Sequence, residues 1–243
     1  MIVTGAGRGL GRAFAEAACR AGARVVVAEV VEAWGERAAD DLQAAGHEAW
    51  FIRTDVADWP SVRRMAEAAA GRWGRIDGLV NNAAIASGIG GKGFEDIPVE
   101  EWNRVMRINV RGPWLACKAV LPFLRQAPRG KIVNVASDTA LWGAPVLLHY
   151  VSGKAALIAM TRALARELGE DNIAVNAIAP GLTRVEATET VAASRHEMYV
   201  QGRALRREQF PEDVTGAAVF LLSDGADFIT GQLLAVNGGF VLH

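Results

Sequence analysis

Cysteine is scarce: the 243 residues hold two, Cys19 and Cys117. Each lies inside an apolar helical pattern, AEAACRAG and WLACKAV, with no C-x-x-C pair or histidine cluster nearby. They read as buried free thiols, and neither a disulfide framework nor a metal site is expected. An excess of one charge is missing too. The formal net charge is −1, and charged runs such as RALRRE from Arg203 are short. That excludes the broad basic field that nucleic acid or an anionic membrane would demand. No apolar run approaches the length of a membrane span, and the start carries no basic region, apolar stretch and cleavage site of the secretory kind. Internal repeats, linkers and low-complexity segments are absent. The expectation is a cytoplasmic chain of one domain, residues 1–243, whose partners are small molecules and copies of itself.

Apolar runs of strand length are plentiful: MIVT from Met1, RVVVAE from Arg24, AWFIR from Ala49, IDGLV from Ile76, KIVNVA from Lys131, IAVNAIA from Ile173 and LLAVN from Leu233. Longer segments of helical period separate them. Strand and helix in alternation imply parallel pairing, right-handed crossovers and helices on both faces. The expected fold class is α/β, a doubly wound parallel sheet of about seven strands, the Rossmann arrangement. Pro60 and Pro211 stand near helix starts and Gly46 and Gly74 just past helix ends, where each is tolerated best. Two stretches lack a period. SGIGGKGF from Ser87 reads as a loop, and residues 183–210, polar and aperiodic, read as a substrate loop or lid.

The chemistry is expected between Asn134 and Lys154, in NVASDTALWGAPVLLHYVSGK. Tyr150 and Lys154 are four apart, so on a helix opened by Tyr150 they share one face, a turn from each other. A tyrosine titrates near 10 in water. A neighbouring ammonium favours its phenolate and makes proton exchange with a substrate oxygen feasible closer to neutrality. Ser137 ends an apolar strand thirteen positions before Tyr150, and its hydroxyl can reach the same oxygen. Upstream, TGAGRGLG from Thr4 lies between a strand and an amphipathic helix. There glycines let backbone approach a pyrophosphate, and the helix start favours the anion.

With NNAA from Asn81, NVRG from Asn109, YVSGK from Tyr150, PG at Pro180 and the closing NGG from Asn237, the chain resembles the short-chain dehydrogenase/reductase family from Ile2 to Gly239. The resemblance implies a catalytic tetrad of Asn109, Ser137, Tyr150 and Lys154 that moves hydride between a nicotinamide and an alcohol or carbonyl carbon. In it Lys154 lowers the Tyr150 pKa and binds the nicotinamide ribose, while Asn109, in a distorted helix turn, holds a water linking Lys154 to solvent. The loop glycines Gly5, Gly9 and Gly11, with Arg8 and Leu10 between them, match the family's T-G-x-x-x-G-x-G variant.

Glu29 closes the second strand, eighteen residues after Gly11, near the spacing at which a carboxylate takes the adenosine ribose hydroxyls. It repels a 2′-phosphate, so NAD is expected over NADP. Arg8 points the other way, but Val30 adds no second cation. Asp55 and Val56 match the family's adenine-edge contact, although DVAD from Asp55 also suits a helix cap. Asn81 is expected to tie neighbouring strands, with Asn82 and Ala83 facing the nicotinamide riboside; Ala84 departs from the family's usual glycine. Pro180, Gly181, Leu182 and Thr183 resemble the segment that holds the carboxamide.

Leu141, Trp142, Leu147, His149, Met198 and Tyr199 suit a modest, partly apolar or aromatic alcohol or ketone, with Trp142, His149 and Tyr199 as candidate substrate contacts. His149 reads equally as a helix-start histidine. Arg184, Glu186, Arg195 and His196 either meet a polar substrate end or form a solvated, charged lid. The small and apolar residues of the helices from Arg111 and Ser152, with the resemblance, imply a homotetramer. The reading is a NAD-dependent secondary-alcohol dehydrogenase or ketone reductase. A 3-oxoacyl-type reductase using NADPH and a non-catalytic nucleotide-binding regulator on the same fold remain as alternatives.

Overall fold

Alternation along the strands explains the architecture. In β1 (Ile2–Thr4), β2 (Val25–Glu29), β4 (Gly78–Asn81) and β5 (Gly130–Val135), successive side chains enter two different cores. Ile2, Val26, Leu79 and Ile132 pack into one, and Val3, Val27, Val80 and Val133 into the other. A strand has a side-chain period of two, so a run apolar at every position is buried on both faces. Together with β3 (Ala49–Arg53), β6 (Ile173–Pro180) and β7 (Leu233–Val236), these strands form a single parallel sheet in the order β3-β2-β1-β4-β5-β6-β7. The computed structural model describes residues 1–242. All seven strands expected from the sequence are present in it.

The helices cover the two faces. On one lie α1 (Gly9–Arg20), α2 (Glu32–Ala44) and α9 (Glu212–Leu222), whose buried residues share a core with Val3 and Val27. On the other lie α3 (Trp59–Trp73), α5 (Gly112–Leu124) and α7 (Leu148–Glu167). Between α4 (Val99–Met106) and α5 the helix widens into one π turn, Arg107–Arg111. A short α6 (Thr139–Trp142) follows β5, and α8 (Ala193–Gly202) follows β6. The expected boundary signals hold in detail. Asp58 caps α3 by accepting from the Ser61 amide at 3.0 Å, Pro60 sits in its first turn, and Gly74 closes it at φ 79°.

Two features of this frame place a site. The chain runs outward from β1 to β3, then returns so that β4 pairs with β1 on its other side. Open α/β sheets bind ligands at such a switch, beyond the carboxyl ends of the strands. The segment from Ser87, expected to be a loop, follows β4 and holds no strand or helix before the short turn Phe94–Asp96. The aperiodic segment 183–210 differs from expectation, because it contains the short turn Glu186–Thr188 and the ten-residue α8. Only His196 and Tyr199 of α8 are buried, and two buried positions are too sparse to print a helical period on the sequence. Both cysteines are buried and free, and their thiols are pushed up, to about 11 for Cys19 and about 12 for Cys117, chiefly by burial.

Candidate active site

The turn after β1 is shaped by close approach. A Cβ on Gly11 would lie 2.0 Å from the Gly5 carbonyl oxygen and 2.5 Å from the Asn82 side-chain nitrogen, so only glycine fits. Asn82 holds this turn, donating to the Thr4 and Gly5 carbonyls at 3.0 and 3.1 Å, while the Thr4 hydroxyl accepts from the Asn82 and Ala83 amides. Asn82 was expected to face the cofactor. Its amide instead clamps the loop that would. The start of α1 has no side-chain cap at Arg8, leaving its first amides for a ligand. Leu10 turns its side chain into the core behind the helix.

Glu29 is 6% exposed at the end of β2 and accepts from three amides: Gly7 at 3.1 Å, Val30 at 2.9 Å and Val31 at 3.1 Å. Gly7 escaped the sequence reading. A Cβ there would meet Glu29 and Trp34 at 2.8 Å, a contact no spacing rule reveals. Arg8 stacks its guanidinium 4.1 Å from the centre of the Trp34 ring beside this carboxylate. Asp55 is exposed and accepts from the Ala57 amide at 2.8 Å; Val56 is buried against Gly112. The helix cap belongs to Asp58, not to Asp55. Asn81 joins β4 to β5 as expected, donating to Asn134 at 2.9 Å.

Across the switch point, Ser137 stands two residues past the end of β5, and α7 brings Tyr150 in its first turn and Lys154 one turn later. Ser137 is close enough for its hydrogen bond to lower the Tyr150 pKa, but burial outweighs it and pushes the phenol up to about 12. Lys154 is bonded to backbone rather than to the phenol. Its ammonium donates to the Val135 carbonyl at 2.6 Å and sits 5.7 Å from the phenol ring centre, and burial brings its own pKa down to about 8. Spacing along a helix gives the shared face; it does not show how deeply the lysine is buried or which carbonyl it finds.

Asn109 occupies the π turn, a distorted helix turn as the resemblance implied. Its side chain donates to the Ile85 carbonyl at 3.0 Å and accepts from the Ile85 amide at 2.8 Å. These bonds brace the segment after β4 against the helix. Pro180 ends β6, and the next residues are fastened from segment 183–210, with Arg203 donating to the Leu182 carbonyl at 2.8 Å. The Thr183 hydroxyl donates to the Gly181 carbonyl at 3.0 Å and is buried.

The three candidate substrate contacts fare differently. Trp142 is partly exposed at the crevice. His149 is 0% exposed, with Nε2 at 3.0 Å from Glu101, whose other oxygen pairs with Lys92 at 2.6 Å. Tyr199 is 2% exposed, its hydroxyl donating to Asp138 at 2.9 Å. Both side chains are buried in these ties, His149 joining α7 to α4 and Tyr199 joining α8 to the segment after β5, rather than lining an open pocket as expected. Lys92, Glu101 and Asp138 went unread in the sequence, since each partner lies far along the chain. Arg184 pairs with Glu208, and Glu186 approaches Gly9. Among the described residues there is no cluster of metal-ligating side chains and no helix long and apolar enough to cross a membrane.

A family model described as enoyl-(acyl carrier protein) reductase matches residues 5–241. An uncharacterized oxidoreductase of Mycobacterium tuberculosis is 40% identical over 243 residues, covering 100% of this chain and 97% of the relative. The 2-(S)-hydroxypropyl-CoM dehydrogenase 3 of Xanthobacter autotrophicus is 36% identical, covering 98% and 95%. Among solved structures, the 3-ketoacyl-(acyl-carrier-protein) reductase of Brucella melitensis, complexed with NADH, superposes with a TM-score of 0.92 at 31% identity, covering 99% and 97%. With this fold and these relatives, the chain belongs to the short-chain dehydrogenase/reductase family of oxidoreductases.

Proposed function

We propose that the protein interconverts a secondary alcohol and a ketone, with NAD as the hydride carrier and Tyr150 as the acid/base. The supporting observation is the convergence of Ser137, Tyr150 and Lys154 at the carboxyl end of β5, across the sheet's switch point from the glycine turn. The turn fits a dinucleotide: no side chain caps the amides at the start of α1, and the closeness of Gly11 to the Gly5 carbonyl keeps the turn tight against that helix start. A bound nicotinamide supplies the carbon that takes or gives hydride.

Tyr150 removes the hydroxyl proton in oxidation and returns it in reduction. Ser137 donates to the substrate oxygen as charge gathers on it, a fixed donor of the oxyanion-hole kind. Lys154, anchored on Val135, stands over the phenol ring, and its role is to hold the nicotinamide ribose beside it. Asn109 keeps the nicotinamide wall in place through Ile85. Glu29 supports NAD over NADP. A carboxylate has about four acceptor sites, so three amides leave it one for a ribose hydroxyl, whereas it has no donor for a 2′-phosphate and repels its charge.

Arg8, stacked on Trp34 at the same corner, favours the second reading, a 3-oxoacyl-type reductase using NADPH. A panel of secondary alcohols and ketones with both cofactors separates the two. Tyr150→Phe is expected to lower kcat by about 10²- to 10⁴-fold with NADH binding nearly intact. Retention of most of the rate would remove Tyr150 from its role. The direction of pH dependence follows from the raised phenol: oxidation needs the phenolate and gains rate as pH rises, whereas reduction needs the phenol and loses it. We further propose a homotetramer built through α5 and α7, where Trp114 is among the large exposed side chains. Sedimentation at micromolar concentration tests it, and a monomer would count against it.

A further inference from the structure

The first turn of α7 carries Tyr150 yet has no side-chain cap, so its direction must be fixed by other contacts. The residue before the tyrosine supplies one. His149 is 0% exposed, and its Nε2 lies 3.0 Å from Oε1 of Glu101 on α4, while Oε2 of Glu101 accepts from the Lys92 ammonium at 2.6 Å. A carboxylate only accepts, so Nε2 carries the proton it shares with Glu101. Lys92 belongs to the glycine-rich stretch from Ser87, whose Gly91 amide donates to the Val146 carbonyl at 3.0 Å. Val146 is held at φ 55°, in the left-handed region that a β-branched residue rarely adopts. Such strain persists only where surrounding contacts impose it. Ile89, 0% exposed, roots the middle of the same stretch, and the Ser87 hydroxyl binds its start to the Ala187 carbonyl at 2.8 Å.

We propose that Glu101 is a positioning residue for the catalytic phenol: by gripping His149 and Lys92 at once, it locks the start of α7 to the stretch 87–93 and so sets where Tyr150 stands in the crevice. This rests on the reading of Tyr150 as the acid/base. His149 and Tyr150 are consecutive on one helix, so any turn of α7 about its axis moves both, and a side chain pinned in the interior stops that turn. Each oxygen of Glu101 serves one element, and bonds to an ionised carboxylate are roughly twice as strong as neutral ones. The Glu101 side chain is 15% exposed, which limits competition from water. The bond from Lys92 holds its carboxyl below the usual carboxylate range against the push of burial, so the grip is charged at neutral pH. Proton transfer depends on placement, and an error on the order of 1 Å can cost about 10²-fold in rate. The tie should therefore show in kcat and not in cofactor affinity. Lys154, a turn further along α7, is held separately on Val135.

Amide hydrogen exchange with NADH present tests the tie without a substrate. In Glu101→Gln, which keeps the shape and drops the charge, exchange in peptides covering 88–93 and 148–154 is expected to rise about tenfold, with the sheet unchanged. Unchanged exchange in both stretches overturns the proposal even if Tyr150→Phe upholds the alcohol–ketone reading. With an active substrate, His149→Leu should lower kcat about tenfold or more while NADH affinity stays within about twofold. His149→Gln, whose amide nitrogen reaches the place of Nε2, should recover most of that loss. Equal kcat in the two variants would show that His149 only fills space, and the proposal would fall. Lys92→Met loosens the tie from its more exposed end and leaves the buried histidine in place, so it decides if the His149 variants fail to fold. It should lower kcat with NADH affinity intact, and a wild-type kcat would overturn the role of Glu101.

Discussion

On the cofactor side of the crevice, side chains hold main chain: Thr4, Asn82 and Glu29 all bond to carbonyls or amides of the turns they shape. On the substrate side, side chains hold other side chains, Glu101 with His149 and Asp138 with Tyr199. The difference matters because main-chain partners exist at every position. The first wall therefore depends on where glycine is allowed and where a short polar residue stands, and it tolerates changes of sequence around those points. The second wall works only if both members of each pair are kept. It is the wall on which relatives of one fold can differ in substrate without disturbing how they hold the dinucleotide.

The sharpest way to break the first wall is Gly11→Val. Its Cβ alone would fall 2.0 Å from the Gly5 carbonyl oxygen, and backbone on both sides must shift. A cost of about 3 kcal/mol in stability is expected, with loss of NADH binding. Thermal unfolding and NADH fluorescence titration measure the two, and unchanged affinity would show that the turn is not the phosphate cradle.

Glu29→Gln is a milder probe of the same wall. The amide cannot accept from all of Gly7, Val30 and Val31, so one buried N–H loses its partner, at about 1–3 kcal/mol. With the charge gone, the ratio of NADP to NAD efficiency should rise roughly tenfold, the equivalent of about 1.4 kcal/mol. Paired kcat/KM values with the two cofactors give that ratio. A fixed ratio would remove Glu29 as the discriminator and leave Arg8 to explain any preference.

What could be read in the sequence follows the same division. The strands show because Val25, Val26 and Val27 bury both faces, and the glycine turn shows because Gly5, Gly9 and Gly11 are needed within one short span. Tyr150 and Lys154 show because they are one helical turn apart. Their electrostatics do not show. Burial raises the phenol and turns the lysine onto Val135, and burial is a property of the folded whole. Asp138 and Tyr199 stand 61 positions apart and His149 and Glu101 48 apart. No local period links such pairs, so Tyr199 and His149 read as pocket walls when they are ties.

The smallest expected effect lies at the outer edge of segment 183–210. Arg207 grips Asp213 at the start of α9 with two bonds, 2.7 and 2.6 Å, and the pairing holds Asp213 down at about 2. A carboxyl group depressed in the folded state stabilises fully above its unfolded pKa near 3.9, and that contribution is lost as pH falls through about 2. Both partners are exposed to solvent, which screens the gain well below what the shift alone implies. Asp213→Asn should therefore barely move the urea midpoint at neutral pH, and wild type and variant should converge further toward pH 2. A large fall in the urea midpoint at neutral pH would instead show that this outer tie holds more of the fold than an ion pair open to solvent can.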